Sequence, residues 1–168
     1  ALTTGAVLER GLTDRLLADG AGSPGMLPLV QHTLRQLWLS GDGTLTHETY
    51  EEIGGIEGSL ARQTDTLLSQ LSPGQLEVAR SLFIRLVKLG DGSDTKRPLD
   101  RTEALALGDP SDVKQIIERF VAARLLRAST QDVELTHDSL LHTWPQLRDW
   151  IIEARDEITQ RESLEKAA

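Results

Sequence analysis

Asp109-Pro-Ser-Asp-Val-Lys-Gln-Ile-Ile-Glu-Arg-Phe-Val-Ala-Ala123, followed by Leu125-Leu-Arg-Ala-Ser129, Thr130-Gln-Asp132 and Val133-Glu-Leu-Thr136, reads as a capped helix that runs into a hairpin. Asp109, Pro110 and Ser111 are a helix start: a capping side chain, then a proline whose missing N–H costs nothing in the first turn. Val113, Ile116, Ile117 and Phe120 then recur at helical spacing, which predicts a helix over 112–123 with one apolar face. The runs 125–129 and 133–136 are rich in strand formers, and the three polar residues between them predict a short β-hairpin.

Upstream, Ser72-Pro73 repeats the cap-then-proline signal and opens a helix over 73–89. The Gly/Asp-rich stretch 90–94 cannot continue it. A short strand is expected over 95–99, edge-like because Pro98 lacks a ladder donor, and a helical turn or two over 101–107. Helix, strand, helix, helix and hairpin in that order is the topology of a winged helix. Before it, helices are expected over 7–17 (Leu8, Leu12, Leu16, Leu17), over 27–39 (Leu27, Val30, Leu34, Leu37, Trp38, with Pro28 in the first turn) and over 56–71. The Gly/Ser/Pro cluster 20–25, Gly41-Asp42-Gly43 and Gly54-Gly55 separate them, with a short extended or turn segment over 44–50. After the hairpin, 138–144 leads to Pro145 and a long helix reaching about 165, charged in its last third. The expected fold is mainly α: a small helical bundle (1–72), a winged-helix domain with its short β-hairpin (73–144) and a C-terminal linker helix (145–168).

The 168 residues carry 26 acidic and 18 basic side chains, a formal charge of −8, which opposes long-range attraction to nucleic acid or acidic membranes. The winged-helix stretch itself is neutral. Residues 73–136 hold ten Lys/Arg against ten Asp/Glu, without the basic stripe that neutralises phosphates in DNA-reading domains. There is no cysteine, hence no disulfide or thiolate metal site, and no apolar run approaches the ~20 residues of a membrane span. The cytoplasm is the expected location. A chain that does not begin with Met is what a fragment or processed protein would give.

Catalytic patterns are missing. No Gly-x-x-x-x-Gly-Lys-Ser/Thr phosphate loop occurs, no Gly-x-Ser-x-Gly elbow, and the four histidines show no metal-site spacing. Carboxylate pairs such as Glu51-Glu52 read as solvated faces. Two places carry chemistry instead. Gly25-Met-Leu-Pro28 sets a proline at a helix start beside Leu27, a rigid apolar surface without an N–H that suits a flat base ring; the plain alternative is a helix starter. His137 sits where a strand runs into a helix, where free N–H groups favour an anion that an imidazole could also bind; the plain alternative is that His137 and Asp138 cap the helix. His142 is expected to pack near Trp144, and no metal is expected.

Taken in order, Gly25-Met-Leu-Pro-Leu-Val-Gln-His-Thr-Leu-Arg-Gln-Leu-Trp38, Leu45-Thr46 with Tyr50 and Gly54-Gly55, Arg85-Leu-Val87, Ala123-Arg-Leu-Leu126, and Val133-Glu-Leu-Thr-His-Asp-Ser-Leu-Leu141 with Trp144-Pro145 and Trp150 resemble the STAND class of signalling NTPases. The resemblance is specifically to the bacterial, Apaf-like branch often fused to WD40 repeats. The resemblance implies a helical domain with a Gly-x-Pro motif and a winged helix with a sensor histidine, without their P-loop domain. It implies that Pro28, with Gly25 and Leu27, meets adenine, and that His137 meets the β-phosphate of ADP in a closed state. Exchange for ATP would then permit self-association of the parent protein. Mg2+ would be held through the missing domain, which leaves this chain non-catalytic alone and with little nucleotide affinity of its own. The departure from the pattern is Thr136, where Apaf-like relatives usually carry methionine. The implied partners are the P-loop domain, downstream WD40 repeats and further copies of the parent, with no nucleic acid and no membrane. The competing reading is a winged-helix DNA-binding regulator with an N-terminal helical module, and the blandest is a scaffold without a ligand.

Overall fold

In the computed structural model, residues 7–21, 26–41, 43–90 and 92–167 are described. The fold is mainly helical, and the chain divides into two compact units, 1–63 and 64–168. The division falls inside a continuous helix, Gly55–Ser69.

In the first unit, β1 (Val7–Leu8) pairs in parallel with β2 (Thr44–Leu45). Helices α1 (Leu12–Gly20) and α2 (Met26–Ser40) lie between them in sequence, and α3 (His47–Glu52) and α4 (Gly55–Ser69) follow. The helix expected over 7–17 therefore starts late. Val7 and Leu8 are taken by the strand pair, and Gly11, at φ 83°, turns the chain into α1. Leu12, Leu16, Leu37, Leu45, Tyr50, Ile53, Ile56 and Leu60 are buried and form the core.

Tyr50 locks the turn before α4. Its hydroxyl donates to Asp19 Oδ2 at 2.8 Å and accepts from the Ile56 N–H at 3.3 Å, one of the unpaired donors of the α4 first turn. The Arg15 guanidinium lies 5.1 Å from the ring centroid and also reaches Glu51 at 3.0 Å. Burial, then the bond to Asp19, pushes the Tyr50 phenol up to about 12. The turn needs its glycines: Gly54 and Gly55 have φ of 74° and 67°, and a Cβ on Gly58 would sit 2.4 Å from the Ile53 carbonyl oxygen.

In the second unit, α5 (Pro73–Arg85) opens on a full capping box, Ser72 accepting from the Gln75 N–H and Gln75 Oε1 from the Ser72 N–H. It ends four residues before the sequence-based limit because β3 (Val87–Lys88) pairs with β4 (Thr95–Lys96). β5 (Leu99–Asp100), α6 (Arg101–Leu105), α7 (Pro110–Ala122), β6 (Leu126–Ala128) and β7 (Asp132–Leu135) follow. Their antiparallel sheet has the order β5-β7-β6. Asp109 caps α7 by accepting from the Ser111 and Asp112 N–H groups, as its position in the sequence predicts. A short α8 (Leu140–Thr143) and the long α9 (Pro145–Ala167) close the chain.

Phe83 on α5 is the hub of this core. Its ring meets Phe120 edge-on at 5.1 Å and Trp144 at 5.0 Å, with Trp150 at 6.5 Å, and Phe83, Phe120 and Trp144 are fully buried. The Trp144 indole N–H donates to Asp65 Oδ1 at 2.6 Å. That bond fastens the end of α4 into the second unit, which explains where the division lies.

Candidate functional site

The site forms where α7 hands the chain to the sheet. After Ala123 the helix closes with the Arg124 N–H bonded to the Val121 carbonyl (3.0 Å) and the Leu125 N–H to the Phe120 carbonyl (2.9 Å), a Schellman arrangement. Arg124 holds the left-handed conformation at φ 64°, the sole non-glycine to do so among the described residues. Glycine usually fills that position, and an L-residue there costs roughly 1 kcal/mol. Its carbonyl is held by His137, whose ring hydrogen-bonds to the Arg124 backbone. The Thr136 N–H to Leu125 carbonyl bond, 3.0 Å, continues the β6-β7 ladder by one residue and fixes the approach of the histidine.

His137 is 5 % exposed. Burial pushes its pKa below that of an ordinary imidazole, and Lys96 adds to the effect; the Arg124 carbonyl and the Asp138 carboxylate oppose it. The ring is therefore neutral near pH 7, with one nitrogen donating to the Arg124 carbonyl and the other carrying no proton. Asp138 caps nothing. Its carboxylate pairs with Lys96 Nζ at 3.1 Å, and Ser139, the residue before α8, makes no side-chain cap. With only four residues, α8 also supplies little of the helix dipole expected here. His142, expected to pack, is instead exposed on a cleft of about 280 Å3 with Asp94, Thr95, Lys96, Asp138 and Leu141.

The other predicted residues belong to the first unit. Gly25 lies outside the described residues, as does the Pro28 side chain, although Pro28 stands in the first turn of α2. Leu27 is 67 % exposed, at one end of a stripe whose other end, Trp38, is partly exposed while Leu37 is fully buried. Helical spacing tells which residues share a face, not how far along the helix a neighbour covers it. Among the described residues no cluster of His, Cys, Asp or Glu could hold a metal, and no helix is long and apolar enough to cross a membrane.

Sequence reasoning singled out His137 and did not single out Lys96 or Arg124, which the structure places beside it. The one available signal was the absence of glycine after α7, which forces another residue into the left-handed turn.

A family model described as Novel STAND NTPase 1 matches residues 1–168, and the chain belongs to that family. Comparison with curated proteins and with solved structures gave no match.

Proposed function

We propose that the chain is the regulatory, helical and winged-helix portion of a STAND ATPase, in which His137 distinguishes ADP from ATP bound to a P-loop domain. The α5-β5-α6-α7-β6-β7 order with its β5-β7-β6 sheet supports a winged helix, and family membership supports association with an NTPase module. Residues 1–72, 73–144 and 145–168 would serve as helical domain, winged helix and linker helix. The observation that carries the reading is a buried histidine at the exit of β7, hydrogen-bonded to the Arg124 backbone.

The fit to a nucleotide is that of one contact, not of a phosphate cradle. Lys96 is engaged by Asp138, and the neutral imidazole has no spare donor. To donate to a phosphate oxygen, His137 must either take a proton on its unprotonated nitrogen or release the Arg124 carbonyl. The first route links the contact to proton uptake, so it strengthens as pH falls toward the range of an ordinary imidazole. The second lets a strained peptide at Arg124 relax. Leu27 and Pro28, with Gly25, would line the adenine side. The phosphates and Mg2+ would be held by the P-loop domain, which supplies the hydrolytic chemistry.

In this reading exchange of ADP for ATP frees the winged helix and permits self-association, with WD40 repeats as a further partner of the parent protein. A DNA-reading role for the same topology gains nothing from the charge: α7 is balanced, and its Lys114 lies 3.9 Å from Glu118. The test is the affinity of the P-loop-containing parent for ADP and ATP when His137→Ala is introduced. A charge-assisted hydrogen bond of about 1.5–3 kcal/mol predicts a loss of roughly tenfold or more for ADP with ATP unchanged. Equal affinities before and after the change would sink the sensor role.

A further inference from the structure

We infer that Arg155 and Lys96 are positioning residues for His137, and that the β3–β4 hairpin is the strap through which α9 holds the His137 turn in place. The strap is fastened at both ends. On the α9 side, the Arg155 guanidinium pairs with the Asp94 carboxylate and donates to the Gly90 carbonyl at 3.0 Å. Asp94 in turn accepts from the Gly90 N–H at 3.3 Å, so one carboxylate closes the turn and receives the helix. A Cβ on Gly90 would meet the Ser93 carbonyl oxygen at 2.2 Å, so the backbone is drawn tight there. On the histidine side, Lys96 pairs with Asp138, the residue next to His137.

Between the two ends the hairpin is short and cross-braced. Val87 faces Lys96, Lys88 faces Thr95, and the Arg97 N–H donates to the Leu86 carbonyl at 2.9 Å, which ties the strand to the end of α5. A displacement of α9 at Arg155 therefore reaches Lys96 within two residues of Asp94, and through Asp138 the histidine. The other route from α9 to the turn runs through α8, whose Leu140 and Leu141 are buried. That route is apolar packing, indifferent to the charge at position 155, which makes the two separable. The charged groups acting on the ring are Lys96 on β4 and Asp138 on its own turn, and the end of α7 at Arg124 meets it through the backbone carbonyl.

The inference concerns the chain itself and does not require that His137 meet a nucleotide. Its test is an NMR titration of the histidine ring protons, with His137 assigned by His137→Gln, together with amide exchange. Arg155→Met should slacken the strap, draw the Lys96 ammonium away and open the buried ring. The His137 midpoint then rises toward the ~6.5 of a free imidazole, and amides of 137–141 exchange severalfold faster. Arg155→Lys should restore part of both effects, and Arg161→Met, an exposed change on the same helix, should produce neither. Asp94→Asn, which keeps the acceptor for the Gly90 N–H, repeats the test if Arg155→Met does not fold. Faster exchange confined to 88–96 with the His137 midpoint and the 137–141 amides unmoved, in whichever variant folds, would overturn it.

Discussion

Removing the Asp65 carboxylate while leaving its partner in place tests why the second unit claims the end of α4. Trp144 is fully buried, and its indole N–H has Asp65 Oδ1 at 2.6 Å as acceptor. Asp65→Ala deletes that acceptor, and a buried donor left without a partner costs about 1–3 kcal/mol. Ala keeps the Cβ, and position 65 is exposed, so no buried apolar packing is lost with the carboxylate. Asp65→Asn keeps a carbonyl oxygen but not the charge, and since a charge-assisted bond is worth roughly twice a neutral one, about half the loss should return. The expected order is wild type, then Asp65→Asn about 1 kcal/mol lower, then Asp65→Ala about 2 kcal/mol lower. Urea unfolding followed by far-ultraviolet circular dichroism reads this directly. With a slope of roughly 2 kcal/mol per molar, the Ala midpoint falls by about 1 M at unchanged slope. If both variants unfold within about 0.3 kcal/mol of wild type, the indole finds water as a partner and the bond does not anchor α4.

The remaining expectations are independent of that bond. Tyr50 is the chain's single tyrosine, so tyrosinate absorbance in the folded protein should appear with a midpoint at about 12 and move down in Asp19→Asn; an ordinary midpoint in the wild type would contradict the buried, Asp19-bonded phenol. His32, lowered by burial and then by Arg35, and His137, lowered by burial, both bind protons more weakly folded than unfolded. Stability should therefore be full above about pH 6.5 and be lost as pH falls through the folded values, and thermal melts should show that slope reduced in His32→Gln and His137→Gln. Gly58→Ala gains about 1 kcal/mol of helix propensity but drives a Cβ to 2.4 Å from the Ile53 carbonyl, so a net loss is expected, whereas Gly74→Ala, with nothing within 4 Å, should stabilise by about 0.4–1 kcal/mol; melting temperatures moving together would refute the contrast.

What the sequence made legible is local. Ser72 and Gln75, Asp109 and Pro110, and Val113 to Phe120 specify caps and an apolar face within a turn or two of themselves, and the structure has those elements. What it hid depends on partners distant in the chain. Val7 and Leu8 look helical until Thr44 and Leu45 pair with them, and α5 stops at Arg85 because Thr95 and Lys96 recruit the residues after it. The site follows the same rule. His137 stands out by its place after a strand, but its neutral state comes from burial and from Lys96, and its anchor from a carbonyl turned outward at Arg124. Exposure at Leu27 was unreadable because spacing carries no information on where a packing partner ends.

The aromatic cluster has an optical consequence. Trp144 and Trp150 stand 5.6 Å apart at 76°, with Phe83 between α5 and both indoles, while the remaining tryptophan, Trp38, belongs to the first unit and is 38 % exposed. Two indoles that close and that rigidly angled share their excited states, so the second unit carries an intrinsic chromophore pair in the near ultraviolet. Any event that tilts α9 against α5 changes the pair's dichroism before it changes helix content, and it does so without a label.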